Sequence, residues 1–290
     1  MTQPIDQKEG YIWIDGEFIE WKEAKVHFLT HGLHYASSVF EGERAYNGKV
    51  FKLKEHNDRL IKSAEILDMK SPYTAREIDT AVKECLIKND LNDAYVRPLI
   101  WRGSESMGMM GRHCKTHVGI ACWKWPSYFG AELMEKGISL CIGNWKKPHP
   151  ETAPIEAKAS GLYTIETLTK HYAIDKGFHD ALMLDWEGLV AECTGMNLFF
   201  VMENDEIVTP LADRFLNGIT RQAIIQMAKD KGYTITEKRM KLDEVWEAKE
   251  VFVTGTAAEV TPVGRIEDKI YKVGNVTKDL KQTFEALVRS

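Results

Sequence analysis

Apolar residues fill Tyr11-Ile12-Trp13-Ile14 and return in Glu17-Phe18-Ile19, with Asp15-Gly16 between the two runs. A two-residue link of that composition tolerates positive φ, so the pattern predicts a β-hairpin. Residues 50–53 read as a strand, and a helix follows from about residue 54 with Leu60, Ala64 and Leu67 on one face. Thr74 and Glu77 have the spacing of a capping box, and the helix they open turns Ile78, Val82, Cys85 and Leu86 inward. Residues 95–101 and 118–123 read as strands.

The pattern breaks at Trp125-Pro126-Ser127-Tyr128-Phe129-Gly130, where Pro and Gly mark a connection between domains. Beyond it come a strand over 138–142, an irregular loop marked by Pro148, Pro150 and Pro154, and a helix from about 162 to 176 that stops at Gly177. Runs 181–185 and 189–191 flank Trp186-Glu187-Gly188, and runs 198–202 and 206–209 flank Glu203-Asn204-Asp205. Both pairs predict hairpins. Thr220 is placed as the N-cap of a helix that turns Ala223, Ile224, Met227 and Ala228 inward and ends at Gly232. A buried strand over 251–254 and a last helix over about 277–288 complete the set. Hairpins mixed with helices point to an α+β fold of two mixed α/β domains, not a doubly wound parallel sheet. The expected division is a small N-terminal domain over 1–124, a linker over 125–133 and a larger C-terminal domain over 134–290.

Composition narrows the classes. A chain of 290 residues can bury a core without staples. Its net charge of −5 weighs against a nucleic-acid surface. The five cysteines are odd in number and include no Cys-x-x-Cys and no metal-ligand spacing, which suits reduced thiols in a cytoplasm. The N-terminus lacks a basic patch followed by an apolar run, so no secretory signal is expected. No apolar run approaches the roughly 18 residues a membrane span needs.

The chemistry gathers around a few segments. Lys158 lies in Glu156-Ala157-Lys158-Ala159-Ser160-Gly161, after a proline-broken loop and among small residues that let a flat ring approach. An amine can join an aldehyde cofactor as an imine and then shuttle a proton. Most single lysines are solvated surface charges, so this one gains meaning only from its company. Glu192 follows the strand-like Leu189-Val190-Ala191 and could keep a pyridine nitrogen protonated. Asn197 can order the loop beside it. Gly218-Ile219-Thr220 opens a helix, whose free N–H groups suit a phosphate. Thr254-Gly255-Thr256-Ala257-Ala258 offers a second small-residue turn to an anion. Arg59, on the helix after residue 53, has the fork that fits a phosphate, or else pairs locally with Glu55. Tyr95 and Arg97 alternate along a strand and share a face, a phenol and a guanidinium suited to a carboxylate.

Taken together, these segments resemble the branched-chain amino acid aminotransferases of the fold-type IV pyridoxal phosphate enzymes. His34-Tyr35, Val39-Phe40-Glu41-Gly42, Tyr95-Val96-Arg97-Pro98, Ala157-Lys158, Glu192, Asn197-Leu198-Phe199, Gly218-Ile219-Thr220-Arg221 and Gly255-Thr256-Ala257-Ala258-Glu259 carry the likeness, in order, over nearly the whole chain. The resemblance implies pyridoxal 5'-phosphate as cofactor, with Lys158 as the Schiff-base lysine and Glu192 beside the pyridine nitrogen. Arg59, Gly218, Ile219, Thr220 and Thr256 would hold the phosphate. Tyr163 would bond the cofactor's phenolic oxygen, with Asn197 nearby. Thr256, Ala257 and Ala258, helped by Tyr95, would take the substrate α-carboxylate. Phe40, Met107 and Tyr128 would line the side-chain pocket. Arg97, with Tyr35 from a partner subunit, would receive the distal carboxylate of glutamate. The implied reaction moves the amino group of L-Leu, L-Ile or L-Val to 2-oxoglutarate, giving branched-chain 2-oxo acids and L-glutamate. A D-amino acid transaminase, an aminodeoxychorismate lyase or an (R)-amine transaminase is the neighbouring alternative, since each shares the lysine and the glutamate. A homodimer at least is implied, with dimer and hexamer both open. The chain departs from the family at Leu162, Cys193 and Met196, and Cys193 places an oxidisable thiol beside Glu192.

Overall fold

The computed structural model describes residues 4–125 and 128–290. Met1-Thr2-Gln3 of the N-terminal run and Pro126-Ser127 of the expected connection lie outside the described residues. Contacts divide the chain into two units, Met1–Pro126 with Ala157–Gly161, and Ser127–Glu156 with Leu162–Ser290.

In the first unit, β1 (Tyr11–Ile14) and β2 (Glu17–Glu20) form the predicted hairpin, with Ile14 opposite Glu17 and both turn residues at positive φ (Asp15 50°, Gly16 99°). Next come α1 (His31–Tyr35), β3 (Ser38–Phe40), β4 (Glu43–Tyr46) and β5 (Lys49–Val50). The strand expected over 50–53 reaches only Val50, because Lys52 adopts a left-handed φ of 55° and turns the chain into α2 (Leu53–Ile66). The helix α3 (Ala75–Lys88) begins at a complete capping box: the Glu77 N–H donates to Thr74 Oγ1 and the Thr74 N–H to Glu77 Oε2. It buries Ile78, Val82, Cys85 and Leu86, the face its periodicity predicts. With β6 (Ala94–Arg102) and β7 (Thr116–Trp123), the strands make, among the described residues, a seven-stranded antiparallel sheet in the order β2-β1-β7-β6-β4-β5, with β3 also on β6. The helices α2 and α3 pack against one another and onto this sheet.

The second unit opens with α4 (Ala131–Lys136), a short helix that begins inside the stretch expected as linker. It continues through β8 (Ile138–Ile142), α5 (Tyr163–Asp175), β9 (Asp180–Leu184), β10 (Leu189–Cys193), β11 (Asn197–Val201), β12 (Ile207–Pro210), α6 (Ile219–Asp230), β13 (Ile235–Lys238), β14 (Met240–Lys241), α7 (Leu242–Val245), β15 (Glu250–Gly255), β16 (Glu259–Ile266), β17 (Lys269–Ile270) and α8 (Asn275–Val288). Among the described residues its strands form one ten-stranded sheet, ordered β13-β12-β11-β15-β16-β8-β9-β10-β14 with β17 on β16. Hairpin neighbours run antiparallel, while β8 lies parallel to both β9 and β16, and β12 to β13. The mixture is the α+β arrangement that the sequence pattern predicts.

The central strands are apolar on both faces because both faces are covered. Phe199 stands opposite Phe252 and stacks on it at 4.9 Å, while Leu198, Phe200, Val251 and Val253 join the cluster on the other side. Gly218, not Thr220, is the N-cap of α6; Thr220 is already inside the first turn. The last helix starts at Asn275, two residues before its expected beginning.

Candidate active site

In the first unit, β3 and the last turns of α2 grip the Lys158 segment. The Phe40 N–H donates to the Lys158 carbonyl (3.1 Å), and the Lys158 N–H donates to Ser63 Oγ (3.0 Å). Val39 and Ala159 form an antiparallel bridge, and Ser38 Oγ donates to Ser160 Oγ at 2.8 Å. These bonds explain why Ala157–Gly161 groups with the N-terminal residues, although the sequence reading drew one break along the chain. They fix the backbone of Lys158 and leave its side chain to carry the amine, which sits 4.8 Å from the centre of the Phe40 ring.

The Phe40 ring gathers two further candidates. The Arg97 guanidinium lies 4.6 Å from its centre and donates through Nη2 to the Tyr95 hydroxyl at 2.9 Å. Arg97 Nε is buried and has no hydrogen-bond partner among the described residues. Burial raises the Tyr95 phenol above its ordinary pKa against the pull of Arg97, so the hydroxyl stays protonated. That hydroxyl rests on Gly42, where a Cβ would come within 2.2 Å of it. Tyr35 and Met107 are exposed and lie on segments that meet at His31, whose ring lies 4.7 Å from Tyr35 and whose Nε2 reaches the Gly108 carbonyl at 2.9 Å.

Arg59 is held by Glu41, eighteen residues before it, and not by the Glu55 of its own helix. Its Nε and Nη2 fork onto the two oxygens of Glu41 at 2.6 and 2.9 Å, and His56 Nδ1 meets Glu41 Oε2 at 2.7 Å. Glu55, the alternative local partner, pairs instead with Lys52. Burial alone would raise Glu41, but Arg59 and His56 outweigh it and hold this fully buried carboxyl well below the usual carboxylate range. The guanidinium is thus aimed by a fixed anion, a bidentate geometry that lysine could not reproduce.

In the second unit, Glu192 lies on β10 and is buried. Asn197 Nδ2 donates to Glu192 Oε2 (3.0 Å) and to the Leu216 carbonyl (3.2 Å). Gly218 packs on the same amide so closely that a Cβ there would stand 2.1 Å from Asn197 Oδ1. One asparagine therefore ties the acid to the start of α6. Gly218 provides no side-chain cap, so the first-turn N–H groups at Ile219 and Thr220 are not served by it. Arg221 anchors that turn from beneath, donating to the Pro210 carbonyl and pairing with Glu237, at 2.8 and 2.7 Å. The turn Thr256-Ala257-Ala258 joins β15 to β16, pinned where Thr261 Oγ1 donates to the Ala258 carbonyl at 2.6 Å. Thr254, cross-strand from Asn197, has a buried hydroxyl with no hydrogen-bond partner among the described residues. Tyr163 is the first residue of α5, and Tyr128 is exposed with its ring 4.7 Å from Phe129.

Three groups around these residues were given no role by the sequence. Glu41 holds Arg59, Arg221 secures α6, and Lys147 pairs with both Glu192 (2.8 Å) and Glu166. Cys193 is fully buried, and burial first, then Asp180 and Glu192, push its thiol well above its ordinary pKa. The thiol next to the acid is therefore an inert core residue, not an oxidisable one.

The first unit thus carries an amine on a fixed backbone and an arginine aimed by a buried anion, and the second a buried carboxylate tied to an uncapped helix start. Residues 38–266 match the family model "Amino-transferase class IV", and the chain belongs to that family, within its branched-chain-amino-acid aminotransferase group. The "Probable branched-chain-amino-acid aminotransferase" of Rickettsia bellii is 45% identical over 294 residues, covering 100% of both chains. The branched-chain-amino-acid aminotransferase of Pseudomonas aeruginosa is 41% identical, covering 97% of this chain and 94% of its own. The crystal structure of the T.th. branched-chain amino acid aminotransferase with pyridoxamine 5'-phosphate matches with a TM-score of 0.94 at 39% identity, covering 98% of this chain and 96% of its own.

Proposed function

We propose that the protein is a pyridoxal 5'-phosphate-dependent branched-chain-amino-acid transaminase (EC 2.6.1.42). It transfers the amino group of L-Leu, L-Ile or L-Val to 2-oxoglutarate. The observation that carries the reading is Asn197, whose amide bonds both the buried Glu192 carboxylate and the Leu216 carbonyl at the start of α6. A ring nitrogen and a phosphate on one small molecule need those two features at a fixed separation.

When bound, the cofactor supplies an electron sink for the charge left on the substrate α-carbon. The chain supplies the rest. Lys158 would hold the cofactor through its amine and would take and return a proton at the substrate α-carbon. Glu192 keeps the ring nitrogen protonated. Arg59, Gly218, Ile219, Thr220 and Thr256 hold the phosphate, and Tyr163 donates to the phenolic oxygen. The backbone at Thr256, Ala257 and Ala258, with Tyr95, orients the α-carboxylate. Phe40, Met107 and Tyr128 receive the aliphatic side chain, and Arg97 with Tyr35 of the partner subunit receives the distal carboxylate of glutamate. The unmatched Arg97 Nε supports that last role, because a carboxylate would satisfy it.

We also propose a cytoplasmic homodimer or larger assembly, the two units corresponding broadly to domains 1–124 and 134–290. Exposed apolar side chains support the assembly: Phe28 (79%), Leu33 (65%), Met109 (84%) and Met110 (67%) lie on the first unit, on segments joined by the His31–Gly108 contact. No helix among the described residues is long and apolar enough to cross a membrane.

Borohydride reduction of the holoenzyme followed by peptide mapping tests the reading. The label is expected on Lys158; a label elsewhere, or none, overturns it. An amino-donor panel with 2-oxoglutarate as acceptor then tests the substrates. Turnover of D-alanine in place of L-leucine would mean a D-amino acid transaminase.

A further inference from the structure

Lys147 lies in the loop after β8, and its N–H donates to the Leu184 carbonyl at 2.8 Å, beside β9. The side chain is buried and ends between two carboxylates, Glu192 of β10 at 2.8 Å and Glu166 of α5. Both carboxylates are themselves buried, and Glu166 Oε2 has no hydrogen-bond partner among the described residues. Burial would drive the ammonium pKa down, yet Glu192 and Glu166 together hold it above its ordinary value, so Lys147 is charged. Asp185, the other acid beside this loop, is already engaged by Arg214 at 2.7 Å. The Lys147 ammonium thus stands directly against the acid that would face the ring nitrogen.

A buried acid facing a pyridine has two ways to share one proton: carboxylate with pyridinium, or neutral acid with neutral pyridine. Low dielectric favours the neutral pair. A cation nearer to the acid than to the ring reverses that preference, because it stabilises the carboxylate more than it opposes the pyridinium. Resting on the reading of Glu192 given above, we propose that Lys147 is a positioning residue for transamination: its ammonium orients Glu192 and keeps the shared proton on the cofactor's ring nitrogen, while Glu166 holds the ammonium in place.

The test uses holoenzyme reconstituted with pyridoxal 5'-phosphate labelled with 15N in the ring. In the natural protein the 15N resonance is expected in the pyridinium range. Lys147→Met should move it toward the neutral pyridine range and lower kcat on the order of 10- to 100-fold, with KM for L-leucine changed less than about 3-fold, the scale on which residues behind a direct ligand act. Lys147→Arg should restore both readouts. Because Lys147→Met takes the ammonium from beside two buried acids, the double variant Lys147→Met with Glu166→Gln is run beside it to remove one of those acids and secure folding. The proposal is overturned if that folded double variant keeps a pyridinium resonance and natural kcat. Borohydride labelling of Lys158 separates the two readings: no label in the natural protein sinks the cofactor assignment, whereas a label with an unmoved resonance sinks only the role of Lys147.

Discussion

At the scale of single residues, the first unit holds two neighbouring acids with opposite fates. Glu41 is ionised because Arg59 and His56 face it. Glu43 is fully buried, and neither of its oxygens has a hydrogen-bond partner among the described residues. Burial raises its pKa well above the ordinary value, and Glu41 and Asp79 add to the rise, against Arg59. As pH climbs through the unfolded-state value, the unfolded chain releases this proton while the folded chain keeps it. Stability contributed at this position therefore falls as pH rises above about 4.5. Glu41 has the opposite sign, and its contribution is lost only in acid. Glu43→Gln should abolish the Glu43 slope, so the advantage of the variant in urea midpoint should grow as the buffer is taken from acid toward neutral pH. A difference that stays constant with pH would mean that Glu43 is ionised in the folded protein. At Lys158, replacement by Ala should abolish turnover while leaving the thermal midpoint near its natural value, since the anchoring bonds to Ser63 and Phe40 use the backbone atoms of residue 158. Near-normal turnover in that variant would remove the lysine from the mechanism.

At the scale of elements, the site depends on how strands and helices begin. The helix α6 starts at a glycine because Asn197 occupies the space a side chain would need. Gly218→Ala should displace the Asn197 amide, loosen Glu192, and weaken cofactor retention measured by dialysis against a scavenger, with little effect on far-UV circular dichroism. Unchanged retention would show that the close packing at this helix start has no bearing on the cofactor. The capping box of α3 gives the contrasting case. Thr74→Ala should cost about 1 kcal/mol of stability in chemical denaturation, the usual worth of an N-cap, and leave kcat unaltered. The cap was legible from Thr74 and Glu77 because the spacing alone implies the hydrogen bonds. The strand expected over 50–53 failed because Lys52 adopts a left-handed conformation that apolar neighbours do not disclose. Thr220 failed as a cap for a related reason: a hydroxyl near a helix start suits several positions, and the packing of Gly218 on Asn197 selects the register.

At the scale of the whole molecule, apolar residues around α1 and the 107–110 turn are left uncovered on the first unit. Leu33→Glu combined with Met109→Lys should shift the protein toward monomer in sedimentation velocity and lower turnover of 2-oxoglutarate more than retention of cofactor, because Tyr35 and Met107 lie on those same segments. An unchanged sedimentation coefficient would exclude this face from the assembly.

The sequence by itself determined the α+β class, most helices and hairpins, and the order of the segments that carry the family likeness. Periodicity, capping and turn composition are local, and the likeness to the family comes from several short segments read in order along the chain. Only the tertiary structure decided which charges meet. Arg59 turned from Glu55 to Glu41, Lys147 emerged between Glu166 and Glu192, Cys193 withdrew into the core, and the Lys158 segment joined the N-terminal residues. Burial makes each of those pairings decisive: a charge out of water takes whichever partner the packing brings within reach, and that partner can be anywhere along the chain.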